Sequence, residues 1–188
     1  MILTAILTLF LIKDGIAYKD CDGHDRFPDY YWREYKGMLP VDALPGGYDT
    51  KGQTTYIGQM HDPKYGLLPA VVYADTKTLS TMADGQTRSL NKNAKILCTG
   101  VPSMFKWIPT DVSAIHQLAG YHLVVAGTEL DQMLYVGRTK LDDGELRVGK
   151  VFEYHDAWKG LNLVVDGKGT IKTKFEILVY DFQDCANL

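Results

Sequence analysis

At 188 residues the chain suits one mid-sized domain or two small ones. With 46% hydrophobic and 11% aromatic residues it can fill a packed core, which excludes a disordered chain. A net charge of −3, with no run of basic residues, excludes non-specific nucleic-acid binding.

The chain opens on an apolar run, Met1 to Ile12, followed by Lys13, Asp14, Gly15, Ile16 and Ala17. That length, with small residues at Gly15 and Ala17, predicts a secretory signal peptide over 1–17 and a secreted protein. The run is too short to cross a bilayer as a mature helix, so no membrane span is expected. No Lys or Arg precedes it, and the competing reading is a buried terminal strand or helix. Asp20-Cys21-Asp22-Gly23-His24-Asp25 resembles the start of a calcium loop, but Tyr31 stands where such a loop needs a bidentate Glu. Cys21, Cys98 and Cys185 form no Cys-x-x-Cys pair, so neither zinc nor thiol-redox chemistry is expected, nor any cofactor. Cys21 and Cys185 flank the rest and are the preferred disulfide. It would close a loop of about 165 residues and stabilise by about 4–5 kcal/mol in the chain-entropy model. Cys98 ends an apolar run and reads as a buried thiol.

From there, alternating and β-branched segments predict strands at Thr54–Gln59, Leu68–Tyr73, Lys95–Cys98, Tyr121–Val125, Met133–Arg138, Gly149–Tyr154, Leu161–Val165 and Thr170–Tyr180. Turn signals stand at Gly46-Gly47, Asp49 to Gly52, Asp142 to Gly144 and Asp166 to Gly169. No amphipathic run of helical period exceeds about two turns. The expected fold is all-β.

The chain also repeats itself. Tyr56-Ile57-Gly58-Gln59 matches Tyr135-Val136-Gly137-Arg138 at an offset of 79, and Leu68 to Val72 falls on Arg147 to Val151 at the same offset. The ends drift, with Trp32 to Trp107 at 75 and Leu97 to Leu178 at 81. Constant spacing with slippage at the ends is what loop insertions do to a duplicated unit. We therefore expect two tandem β-sandwich-like repeats, 27–99 and 103–182, packed around a pseudo-two-fold axis. At roughly 75 residues each, neither core would be more than marginally stable alone.

The order of motifs carries a resemblance. An aromatic-Trp start, Leu39-Pro40-x-x-Ala43-x-x-Gly46-Gly47-x-Asp49, Tyr56-x-Gly58, a Leu67-x-Pro69 step and a closing apolar strand resemble the DM-nine repeat family over about 150 of the 188 residues. The resemblance implies an invertebrate, all-β, mannose-binding lectin or innate-immune pattern-recognition protein, whose partners are mannose-containing glycans or microbial surfaces. It also implies an acidic residue after a Gly-Gly turn and a Lys after a Gly one strand later. The second repeat keeps these as Glu129 and Lys150, with Arg138 closing its Tyr-Val-Gly-Arg motif and expected to orient the acid. The first keeps Asp49, but Gln59 replaces the Arg and Val71 the Lys.

A carboxylate beside an ammonium suits a vicinal diol, because the acid accepts from the hydroxyl protons while the Lys donates to their oxygens. With charge-assisted bonds at about 1.5–3 kcal/mol each, one such pair reaches roughly millimolar affinity. Useful avidity then asks for tandem sites or a homo-oligomer. Lys150→Ala is expected to abolish retention on mannose-agarose at a stability cost within about 1 kcal/mol, as at a surface position. Structural readings compete: a plain ion pair for Glu129 and Lys150, and a backbone-bonded turn for Asp49. Trp32 and Trp107 read as core, whereas Trp158 sits in a loop-like stretch that suits ligand contact. An enzyme is not expected, since a glycosidase needs two carboxylates and no nucleophile or phosphate-loop motif occurs. The alternative function is a structural or protein-interaction module with a decayed sugar site.

Overall fold

The computed structural model describes residues 18–19, 25–74, 78–90 and 92–182. The expected signal peptide, Cys21 and Cys185 lie outside the described residues.

The fold is all-β. β1 (Tyr18–Lys19) and β2 (Asp25–Arg26) form a separate two-stranded pair. The first half then contributes β3 (Tyr31–Glu34), β4 (Pro45–Tyr48), β5 (Thr54–Asp62), β6 (Gly66–Tyr73), β7 (Leu79–Ala83), β8 (Gln86–Leu90) and β9 (Ala94–Cys98). The second half contributes β10 (Phe105–Asp111), β11 (His122–Leu123), β12 (Val125–Glu129), β13 (Gln132–Lys140), β14 (Leu146–Phe152), β15 (Gly160–Val165), β16 (Lys168–Lys172) and β17 (Lys174–Tyr180). Among the described residues, helix is confined to 3₁₀ turns at Pro102–Met104 and Ile115–Leu118, and no helix is long and apolar enough to cross a membrane.

Antiparallel pairing joins β3 to β17 into one network. In the first half β5 is the hub, bonded to β4, β6 and β9, while β9 pairs β3, β6 pairs β7 and β7 pairs β8. In the second half β13 is the hub, bonded to β12, β14 and β17. There β17 pairs β10, β14 pairs β15 and β15 pairs β16. Two exchanges sew the halves together: β12 pairs β6 through Thr128 and Leu67, and β4 pairs β14 through Tyr48 and Leu146.

Glycine makes those exchanges possible. A Cβ on Gly47 would lie 2.0 Å from the Leu146 carbonyl oxygen, and one on Gly127 would lie 1.9 Å from that of Leu67. Gly46-Gly47, expected as a turn, is therefore part of β4: the missing side chain serves close approach by the other half rather than chain reversal. Three two-residue hairpins use left-handed pairs, Asp84-Gly85, Leu130-Asp131 and Asp166-Gly167, whose twist matches that of the flanking strands. The expected single strand over Thr170–Tyr180 is two, broken at Thr173, and the expected Tyr121–Val125 strand becomes β11 and the start of β12.

The core has three parts. One lies mainly in the first half, around Met60, Leu68, Val72 and Ile96, and one in the second, around Val151, Leu161, Ile177 and Val179. The third takes Leu44, Ile57 and Leu97 from the first half and Val124, Val136 and Leu178 from the second. Trp32 and Trp107 both pack against this shared cluster, the core role expected of them. Cys98 is fully buried.

Candidate functional site

Glu129 ends β12 and Lys150 lies in β14, between Gly149 and the apolar Val151 and Phe152. Their side chains meet: the Lys150 ammonium donates to Glu129 Oε2. Both are buried, at 6% exposure for Glu129 and 1% for Lys150. Burial lowers the Lys150 pKa, and the hydrogen bond and charge of Glu129 act in the opposite direction. The ammonium also sits 5.3 Å from the centre of the Phe152 ring, against its electron-rich face. Lys150 is therefore not a surface residue, and its removal does not carry the small stability cost expected above.

This pair forms the floor of a small cleft of about 120 Å³, which Phe152, Trp158 and Tyr65 also line. Asn162 completes it. It is the cross-strand partner of Lys150, and its Nδ2 donates to the carbonyls of Trp158 at 2.6 Å and Gly160 at 2.9 Å. Those two bonds fix the amide, and Oδ1 is buried with no hydrogen-bond partner among the described residues. An unpaired buried acceptor is costly and asks for a donor. The clue was available in the sequence, since Asn162 interrupts the otherwise apolar Leu161-Asn162-Leu163-Val164. Leu130, which also lines the cleft, has φ +53° and is 56% exposed. A leucine held left-handed costs about 1–2 kcal/mol, and such strain gathers at functional sites.

The other expected site residues lie elsewhere. Arg138 does not orient Glu129. Its Nε donates to Glu176 at 2.6 Å, its Nη1 to the Gly46 carbonyl at 3.1 Å, and its guanidinium lies 4.1 Å above the Trp107 ring. Asp49 takes the turn role: Oδ1 accepts the backbone N–H groups of Lys51 and Gln53, both at 2.8 Å. Val71, in the Lys position, faces a different cleft of about 200 Å³ with Tyr73 and Arg147. Beside it Arg147 pairs with Glu145, which accepts from the Tyr73 hydroxyl at 2.8 Å. Burial and then Glu145 push the Tyr73 phenol up to about 12.

Chemically, the Glu129 cleft offers ammonium donors, a carboxylate acceptor and an amide acceptor beside the rings of Tyr65, Phe152 and Trp158. It can hold hydroxyl groups. Asp84 also lines the cleft, and its Oδ2 accepts from the Tyr65 hydroxyl at 3.3 Å.

No protein-family model matches the chain, and no curated protein matches it. Among solved structures it is similar to the nematode sperm cell motility protein MFP2B, with a TM-score of 0.58 and 10% identity over 92% of this chain and 55% of that one. The chain thus spans about half the length of that protein. A likeness at this identity is one of fold.

Proposed function

We propose that the chain is a secreted, non-enzymatic carbohydrate-binding protein that takes a mannose-type sugar edge-on in the Glu129–Lys150 cleft. The observation that carries this reading is the meeting of Glu129, Lys150 and the unpartnered Asn162 Oδ1 in one cleft. A vicinal diol supplies what they lack: its protons go to the two acceptors, and its oxygens accept from the ammonium. The cleft admits only one edge of a ring, which suits weak binding multiplied by avidity. An innate-immune receptor of the DM-nine repeat kind would work in that way.

We also read the architecture as two duplicated units, 27–99 and 103–182, around a pseudo-two-fold axis. The support is the correspondence of pairings: β3 to β9 match β10 and β12 to β17 in order, down to a register shift at Pro45/Gly47 and another at Val125/Gly127. The exchange of β12 onto β6 and of β4 onto β14 is reciprocal under that operation.

The test uses mannose-agarose. Because removing one member of a buried pair endangers folding, the informative change is the charge-balanced Glu129→Gln/Lys150→Met double variant. Native protein should be retained and eluted by free mannose, and the folded double variant should flow through. Equal retention of both would remove the cleft from the account. A second reading, a protein-interaction module with a decayed sugar site, draws on Val71 in place of the first-half lysine and on Glu129 already being paired. Failure of the native protein to bind any mannoside at high concentration would favour it.

A further inference from the structure

We infer that the rim of this cleft receives an oxyanion, so that the preferred ligand is an acidic saccharide, a sugar carrying a phosphate or carboxylate. The inference rests on the carbohydrate-binding reading and names the ligand class.

Tyr65 lines the cleft, and two cations converge on its hydroxyl. Lys64 Nζ donates to it at 2.8 Å and Arg88 Nη2 at 3.1 Å, while it donates to Asp84 Oδ2 at 3.3 Å. Both cations also lie over the ring, Lys64 Nζ at 4.7 Å and Arg88 Cζ at 5.0 Å from its centre. Two like charges held against one neutral phenol repel each other, and Asp84, at the longest of the three distances, offsets them only in part. Glu129 and Lys150 cancel below, so among the charged groups bonded to the Tyr65 hydroxyl the two cations outnumber the one carboxylate.

The Arg88 fork gives this charge a shape. Nε and Nη2 lie on the same edge of a guanidinium, the edge that grips a carboxylate or phosphate with two parallel bonds. Here Nη2 is spent on a neutral hydroxyl, and Nε is buried with no partner among the described residues. A buried donor left empty calls for an explanation. An oxyanion entering beside Tyr65 would accept from Nε and Nη2 together, with Lys64 as a second counter-charge. The sugar ring would then lie toward Glu129, Lys150 and Asn162.

The experiment titrates the full chain by calorimetry with mannose, mannose 6-phosphate, mannuronate and inorganic phosphate. At least one acidic sugar should bind about tenfold tighter than mannose, the worth of one added charge-assisted bond. Arg88→Lys, which keeps the charge and loses the fork, should reduce that advantage to about threefold or less. If mannose binds and neither acidic sugar binds more tightly, the rim inference falls and the carbohydrate reading stands. Silence with all three sugars overturns both. Arg88-dependent binding of inorganic phosphate alone would keep the oxyanion contact and overturn its assignment to a saccharide.

Discussion

Arg138 Nη1 donates to the Gly46 carbonyl oxygen at 3.1 Å, reaching from the second half of the chain to the shifted register of β4. The first half returns the bond: Gln59, which occupies the matching position of β5, donates Nε2 to the Ala126 carbonyl at 2.9 Å. Two different side chains thus hold the irregular strand of the opposite half. Arg138 joins the halves, and the Glu129–Lys150 cleft lies elsewhere.

Arg138→Ala should therefore destabilise the protein by about 2 kcal/mol, since it orphans the Gly46 carbonyl and the Glu176 carboxylate. Arg138→Gln, which installs the residue used in the first half, should recover part of that loss. Chemical denaturation measures both, and retention on mannose-agarose should be unchanged in the folded fraction.

Lys150→Met alone leaves the Glu129 carboxylate buried without its counter-charge and should cost roughly 3 kcal/mol or more. Adding Glu129→Gln should restore stability to within about 1 kcal/mol of native or above it, because no desolvated charge remains. The linkage of Lys150 agrees in sign. With its folded pKa held below 10.5 by burial, the unfolded chain binds more protons between the two values, so stability rises with pH across that window. Below the window both states are charged and the burial cost is present in full. The double variant should lose this alkaline rise.

Gly127→Ala and Gly47→Ala should each destabilise by more than about 3 kcal/mol, because the added Cβ meets a backbone carbonyl that cannot move aside. Gly120, with nothing within 4 Å of an added Cβ, is the control and should change stability by less than about 0.5 kcal/mol. Thermal melts compare the three.

His122 is half-buried and lies 3.0 Å from the Tyr30 hydroxyl, and burial lowers its pKa from 6.5. As pH falls through 6.5 the unfolded chain takes up the proton first, so stability declines until the lowered folded pKa is passed and then levels off. His122→Phe should flatten that slope in denaturation curves run across mildly acidic pH.

Cys98 should resist alkylation in the folded protein. Burial, then neighbouring Asp42, pushes its thiol up to about 11, and only the thiolate reacts. Peptide mapping after iodoacetamide at mildly alkaline pH should find Cys98 unmodified until denaturant is added.

The strands of the fold were legible where β-branched residues alternate, as in Thr54 to Gln59 and Leu161 to Val165. They were not legible in Pro45-Gly46-Gly47-Tyr48, which has almost no strand propensity and pairs because another strand comes close to its glycine. Nor were they legible in the polar Gln86 to Leu90, held by its hairpin with β7. The meeting of Glu129 with Lys150 was expected from motif resemblance, but their burial was not. Its signal is the apolar company of Lys150, which sits between Gly149 and Val151-Phe152. Asp49 and Arg138 share the motif and not the site, since spacing along the chain does not say which face of a curled sheet a side chain meets.

The most direct measurement is a crystal structure of the protein soaked with mannose at high concentration. A sugar in the cleft, with adjacent hydroxyls within hydrogen-bond reach of Glu129, Lys150 Nζ and Asn162 Oδ1, is the predicted result. An empty cleft with that pair still closed, or mannose bound only at another surface, would contradict the account.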